Sequence, residues 1–406
     1  MVHKGDNKRL LLIPLAASLL LCLTGCWSSN EIEELSVFVG VALDKGKELK
    51  VEKDLNKQGH GSAEKNLITS TVQIVNPQAA APVSGHEGTA KQEKYTNLSE
   101  KGDSAFEMIR ELSLRTDRPL IGHHLKVVVI GEELARAQSL EKLLDFFIRD
   151  NDIRPSCIAL ISTGLARDTL ESKGAAEIPS FRLFGMIDNQ YRTTRILPPM
   201  SFARLQGKMQ SGSSFLVQNV TSTDKEVKFA GAAIIQGKTK KLLGFLNEEE
   251  LEGITWITGK GKGGLVKSYD EKTGQLITYE ILGMTSRITP HIEGNDISFH
   301  VNIESDGRLM ESSLDSGNPF KEEFLKKAEK ISEAQVKQLM NHVLKKMQGE
   351  YQVDVAGFGN RLRIDHPKVW KQVKDNWDQT FSEAPVTIDV KLSIKEFGAS
   401  GGFIKR

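Results

Sequence analysis

The sequence has few cysteines, no long apolar segment beyond its first residues, and no excess of charge of either sign. It contains three cysteines among 406 residues, and its 54 Lys and Arg nearly balance 53 Asp and Glu, for a formal net charge of +1. Because nucleic-acid-binding domains are usually clearly basic, this balance argues against a nucleic-acid partner and against a polybasic membrane-surface binder. No apolar segment after residue 25 approaches the roughly 18 residues that indicate a transmembrane helix.

Recognisable phosphate-binding motifs are also missing. Gly237-Lys238-Thr239 resembles the end of a P-loop, but Ala232 stands where that motif needs a glycine, and no helix is predicted after Thr239. We interpret these residues as a hairpin turn. The Gly/Lys-rich residues 259–264 also fail the spacing and are predicted to form a mobile, solvated loop.

The histidines do not form a metal site by their spacing. His123 and His124 are adjacent, and neighbouring side chains of an extended chain point to opposite faces, so both are interpreted as structural. The sequence has no His-Glu-x-x-His helix, no cysteine pair for zinc and no Gly-x-Ser-x-Gly nucleophile turn. We therefore expect no catalytic residues, no metal and no cofactor.

The first residues have the pattern of a lipoprotein signal peptide. A positively charged start is followed by an apolar run over residues 10–23, too short for a membrane span, and then by Thr24, Gly25 and Cys26. This order predicts removal of residues 1–25 and lipidation of Cys26 with S-diacylglycerol and an N-acyl chain such as palmitate. Two or three acyl chains anchor a protein stably. The alternatives are an ordinary signal peptide followed by a chance cysteine, and a retained anchor helix.

The remaining cysteine cannot form a disulfide within the chain. Cys22 lies in the predicted signal peptide and Cys26 is predicted to carry lipid, which leaves Cys157. Cys157 lies in an apolar run that is typical of a buried strand, so it is predicted to be a core residue rather than a reactive thiol. An exported protein without disulfides must be stabilised by hydrophobic burial.

The first half of the chain alternates strands with helices. β-branched residues predict strands over 35–43 and 67–75 joined by a polar connection, and residues 78–97 are predicted to be a flexible loop. Apolar spacing then predicts a helix over 104–114 with Asp103 or Ser104 as N-cap, a strand over 125–130, a helix over 132–149, a buried strand around Cys157 and a short helix near 165–170.

The second half begins after an irregular stretch over residues 192–226, and we predict a domain boundary near residue 195. The elements predicted beyond it are strands over 227–235 and 241–246, a helix over 247–256 capped by Asn247, strands over 275–292 and 296–305, a long amphipathic helix capped by Asn318 with Pro319 in its first position, a turn at 357–359, a helix over 367–381 and a strand over 386–397.

These elements predict an α+β or mixed α/β fold with two to three domains, each a sheet packed with helices. We expect a cleaved signal peptide at 1–25, an N-terminal α/β domain at 26–195, a middle α+β domain at 196–290 and a C-terminal α+β domain at 291–406.

Several short stretches resemble the Ger(x)C family of spore germination lipoproteins, and together they extend over essentially the whole mature chain. They comprise Gly25-Cys26-Trp27, residues 31–35, 122–136, 144–150, 242–250 and 354–359, and the closing pattern of Pro367, Trp370, Trp377 and Phe381. The family often has an acidic residue after the Trp, where this chain has Ser28.

The resemblance implies a three-domain lipoprotein with no known catalytic activity, the C subunit of a nutrient germinant receptor. Family members lie at the outer face of the spore inner membrane and act with integral-membrane A and B subunits to start germination. We do not expect this chain to bind the nutrient directly. The alternative is an extracytoplasmic solute-binding lipoprotein that delivers a small nutrient to a transporter, a class that usually has two similar lobes. A lipid-anchored enzyme of unknown type is the third functional hypothesis.

Overall fold

Two β-sheets and the helices that cover them organise the chain. The computed structural model describes residues 35–47, 67–76, 93–171, 177–224, 226–313 and 321–396. Across these ranges, no helix has the length and apolar character needed to span a bilayer. The mixed α/β class with more than one sheet, predicted above, is confirmed.

The first sheet has nine strands in the described residues, with parallel strands at its centre. They are β1 (Ser36–Lys45), β2 (Ile68–Val75), β3 (Tyr95–Gly102), β4 (Leu120–Ile121), β5 (Val127–Gly131), β6 (Ile158–Thr163), β7 (Phe215–Thr223), β8 (Glu226–Ile235) and β9 (Leu242–Leu246). Their order is β3-β2-β1-β5-β6-β7-β8-β9, and β4 pairs with β1. Every residue of β5 is buried, as expected for a parallel strand covered on both faces.

Helices cover both faces of this sheet. They are α1 (Ala105–Glu111), α2 (Glu132–Ala137), α3 (Leu140–Arg149), α4 (Pro179–Met186) and α5 (Phe202–Ser211), with 3-10 turns at Leu112–Leu114, Arg167–Leu170 and Ile187–Tyr191. The predicted cap is confirmed, because the Ser104 hydroxyl accepts a hydrogen bond from the Glu107 N–H at 3.3 Å. The single helix predicted over 132–149 is wrong: Ser139 caps a second helix, so the chain breaks between α2 and α3.

The second sheet has the order β10-β11-β12-β13 and contains a long hairpin. Its strands are β10 (Leu265–Tyr269), β11 (Leu276–Glu293), β12 (Asp296–Ser312) and β13 (Val386–Glu396). The associated helices are α6 (Glu248–Thr258), α7 (Glu322–Lys345), α8 (Phe358–Asp365), α9 (Pro367–Val373) and α10 (Trp377–Glu383), with a π turn at Lys346–Tyr351 and a 3-10 turn at Lys374–Asn376.

The long helix α7 packs an apolar stripe onto this sheet and also contacts its edge. Phe324, Val336 and Met340 are buried in the shared core. Carboxylate oxygens of Glu333 and Glu329 accept hydrogen bonds from the N–H groups of two residues of β13, at 3.0 and 2.7 Å. The predicted Asn318 cap and Pro319 lie outside the described residues.

Several predicted irregular stretches are in fact regular. Residues 95–97, predicted to be loop, begin β3, and the stretch over 192–226 contains α5 and β7. The polar Gln218 and Asn219 interrupt the apolar pattern of β7, so the sequence does not predict this strand. Both residues are buried, and their side-chain amides donate hydrogen bonds to the carbonyl oxygens of Gly231 (2.8 Å) and Ala230 (3.0 Å), respectively. Residues 357–359 begin α8 rather than forming a simple turn, and the helix predicted over 367–381 divides into α9 and α10.

The division into three domains stays a prediction, and the sheets group the strands differently. Strands on both sides of residue 195 belong to the first sheet, and β11 crosses residue 290.

Candidate functional site

Cys26, which we predicted to carry lipid, lies outside the described residues, as do Trp27 and residues 31–34. The other motif with a possible ligand, Gly237-Lys238-Thr239, forms the turn between β8 and β9. A strand follows this turn, so no helix N-terminus faces a phosphate there. The hairpin interpretation is confirmed.

The remaining single-residue candidates are His123, His124 and Cys157. His123 and His124 are exposed in the turn before β5, and His123 Nε2 lies 3.3 Å from Asp152 Oδ1. Cys157 is buried, and burial strongly raises the pKa of its thiol, as predicted for a core residue. Within the described ranges, no group of three or more His, Cys, Asp or Glu residues could hold a metal ion.

Residues 259–264 pack more closely than the predicted solvated loop. Gly259 ends α6 with a φ of 63°. A Cβ atom at Gly263 would lie 2.1 Å from the Tyr191 carbonyl oxygen, and one at Gly264 would lie 2.8 Å from the Thr194 nitrogen. The two glycines therefore allow this connection to lie directly against the backbone of residues 191–194.

Asp354 organises the stretch 354–359 that resembles the germination family. Its Oδ1 accepts hydrogen bonds from the N–H groups of Ala356 (3.1 Å) and Gly357 (2.7 Å). Its Oδ2 accepts from the Gly359 N–H at 2.7 Å and from the indole Nε1–H of Trp377 at 3.1 Å. One buried carboxylate thus satisfies four donors and joins the start of α8 to α10.

Aromatic rings complete this arrangement. Phe358 lies 5.1 Å from Phe299 and 5.2 Å from Phe381, and Trp370 lies 5.3 Å from Trp377 between ring centroids. A Cβ atom at Gly359 would lie 2.6 Å from Trp377 Nε1, so the close approach of the indole requires glycine. The matching residues in this part of the chain therefore serve packing and hydrogen bonding.

Helix α6 connects the two sheets. Its residues 250–257 are all buried, and its apolar side chains share one core with β8, β11 and α7. Two buried acids on α6 are each paired: Glu252 accepts from Arg195 Nε at 3.2 Å, and Glu250 from Lys346 Nζ at 2.8 Å. Burial raises the pKa of Glu252, and the charge and hydrogen bond of Arg195 oppose that rise. Asn247 and Glu250 form the capping box that begins α6.

A cleft of about 1000 Å³ opens beside α6. Its walls are α5 with the preceding residues 196–200, the C-terminal end of α6, residues 286–288 of β11, and residues 354–364. Residues from both halves of the chain thus form this cleft. No sequence motif predicts this cleft, because its walls come from segments far apart in the chain.

Comparison with known proteins gives a consistent result along the chain. A family model described as "Spore germination protein N-terminal domain" matches residues 28–222, and one described as "Spore germination B3/ GerAC like, C-terminal" matches residues 230–398. The boundary between them falls at the β7–β8 turn, inside the first sheet.

Individual relatives match over nearly their whole length. "Spore germination protein YndF" of Bacillus subtilis (strain 168) is 48% identical over 94% of this chain and 95% of its own. "Spore germination protein B3" of the same organism is 30% identical over 94% of this chain and 96% of its own. The crystal structure of the GerBC protein superposes with a TM-score of 0.60 at 28% identity, covering 81% of this chain and 94% of that one.

Proposed function

Because the chain belongs to the Ger(x)C family of spore germination proteins, we propose that it is a non-enzymatic, lipid-anchored subunit of a nutrient germinant receptor. The observation that carries this proposal is the match in sequence to spore germination proteins over 94% of the chain. The two family models match residues 28–222 and 230–398, so this chain shares with the family far more than one local motif.

In this proposal Cys26 carries the lipid and the body lies at the outer face of the spore inner membrane. The partners are the integral-membrane A and B subunits of the receptor, and germination starts when they respond together to a nutrient. A non-catalytic role is supported by Asp354, Gly359 and Trp377, which belong to stretches that resemble the family and which act in packing and hydrogen bonding.

The alternative of a solute-binding lipoprotein gains no support from the sheets. That class has two similar lobes, whereas the two sheets described here have nine and four strands in different orders.

The anchor is tested with Cys26→Ala in the full chain, expressed in spores and followed by membrane fractionation. We expect the protein to leave the membrane fraction, because the acyl chains supply its attachment. Cys157→Ala is the matched control, since it removes the other cysteine of the mature chain and should leave fractionation unchanged. If Cys26→Ala still fractionates with membranes in normal yield, the lipid anchor is not what holds the protein there.

The receptor role is tested by capturing the full chain from detergent-solubilised spore membranes and identifying the proteins that co-purify. We expect integral-membrane subunits in near-stoichiometric amounts, and loss of nutrient-triggered germination when the chain is deleted. A normal germination response in the deletion strain would contradict the proposed function.

A further inference from the structure

The cleft beside α6 has the size and shape of a small-molecule site. Its volume of about 1000 Å³ lies at the upper end of the range for ligand pockets, about 300–1,000 Å³. Pro198, Ile254 and Ile288 give it apolar walls, and the hydroxyl-bearing Ser211 and Ser213 lie along one side. Apolar walls with a few polar groups are typical of sites that hold a ligand with a defined orientation.

The charge of the cleft is almost entirely positive. Arg204 and Lys208 lie one turn apart on α5, Lys260 follows α6, Arg287 comes from β11 and Arg361 from α8. Arg361 pairs with a carboxylate of its own helix at 2.7 Å. For the other four, no ion pair with a carboxylate exists among the residues that the structure describes.

The lining contains a single carboxylate, Asp354, which can offset at most one of these positive charges. Its two oxygens accept hydrogen bonds from three backbone N–H groups and from Trp377 rather than from a cationic side chain. Arg204 donates one hydrogen bond to the Pro199 carbonyl oxygen at 3.1 Å, which orients its guanidinium without cancelling its charge. Most of the positive charge of the cleft is therefore left to solvent or to a bound anion.

The three cations on the α5 side lie close enough to affect one another. Partial desolvation in the cleft lowers the pKa of Lys260, and the positive charges of Lys208 and Arg204 lower it further. Like charges held together by two separate elements disfavour the folded state unless a counter-charge is present. A negatively charged ligand would remove this repulsion.

We propose that the cleft binds a small multivalent oxyanion, with phosphate or clustered carboxylate groups, through Arg204, Lys208 and Lys260. Its apolar walls accommodate a non-polar part of the same ligand. The half-enclosed shape suits a small molecule better than the flatter surface of a macromolecular partner. The anionic group has two possible sources, a free metabolite-sized anion or the headgroup of an acidic phospholipid.

Binding is measured by isothermal titration calorimetry on the purified full chain in a neutral detergent, with citrate and inorganic phosphate as probes. We expect saturable binding that weakens as salt is raised, since exposed charge interactions are screened. The double variant Lys208→Gln/Lys260→Gln should bind at least about tenfold more weakly, because two charge-assisted hydrogen bonds are lost.

Two control proteins make the comparison specific. Lys208→Arg/Lys260→Arg keeps the charges and should retain most of the affinity. Lys142→Gln removes an exposed charge from α3, away from the cleft, and should bind as the parent does. Thermal unfolding of each variant checks that the exposed substitutions leave the fold intact.

The source of the anion is distinguished by adding phosphatidylglycerol or phosphatidylcholine to the detergent micelles. Weaker citrate binding with phosphatidylglycerol alone, lost in the Gln double variant, identifies a lipid headgroup. Equal citrate binding in both identifies a free anion. If neither citrate nor phosphate binds at millimolar concentration, or if the Gln double variant binds as tightly as the parent, the proposal is wrong.

Discussion

Replacement of Asp354 by asparagine tests whether one carboxylate organises the C-terminal part of the body. The isosteric amide keeps one oxygen but replaces the other by an NH₂ group, so two of the four donors lose their acceptor in either orientation. Leaving a buried donor unsatisfied costs about 1–3 kcal/mol. We therefore expect Asp354→Asn to lower the free energy of unfolding by about 2–6 kcal/mol.

The assay is urea unfolding followed by tryptophan fluorescence, because Trp370 and Trp377 lie within this arrangement. Asp365→Asn is the matched control, since it removes a carboxylate of neighbouring α8 whose partner is the partly exposed Arg361. A surface ion pair of this kind is worth at most about 1 kcal/mol. If Asp354→Asn costs no more than Asp365→Asn, the carboxylate does not organise this region.

Three further predictions concern other parts of the chain. The hydrogen bond from Lys327 lowers the pKa of Asp270 from 3.8 to about 2. The stabilising effect of the ionised Asp270 is therefore complete above pH 3.8 and is lost as the pH falls toward 2. When the free energy of unfolding is measured against pH, Asp270→Asn should flatten the profile between these two pH values. Gly253→Ala should lower the free energy of unfolding in denaturant by about 1–3 kcal/mol, because the added Cβ would lie 2.6 Å from a carbonyl oxygen of α7. Gly185→Ala in α4 is the control and should not destabilise the protein, because no atom lies within 4 Å of the added Cβ. Burial should protect Cys157 from alkylation at pH 8 until denaturant is added, and rapid labelling of the native protein would contradict that placement.

The elements that the sequence predicted best are those whose signals are local. Asn247 predicts the start of α6, and the strands predicted over 275–292 and 296–305 correspond to β11 and β12. By contrast, α5 has only Phe202, Leu205 and Met209 on its buried face, too few to stand out in a polar segment.

The candidate sites were harder to predict because their contacts join distant residues. The stretch 354–359 resembles the germination family, but the hydrogen bond from Trp377 to Asp354 depends on how α8 and α10 pack. Similarly, the cleft unites α5 with the end of α6 and with β11, and no local pattern relates Lys208 to Lys260. Sequence periodicity reports which residues are buried, not which distant segments meet.

The contact between α7 and β13 has a consequence for aggregation. An edge strand with unpaired N–H groups can template a strand from another molecule. Glu329 and Glu333 occupy two of those groups on β13 with charged acceptors, so an incoming strand would have to displace both hydrogen bonds before forming its own. The helix that fills the core of the second sheet therefore also protects one of its edges from pairing with another molecule.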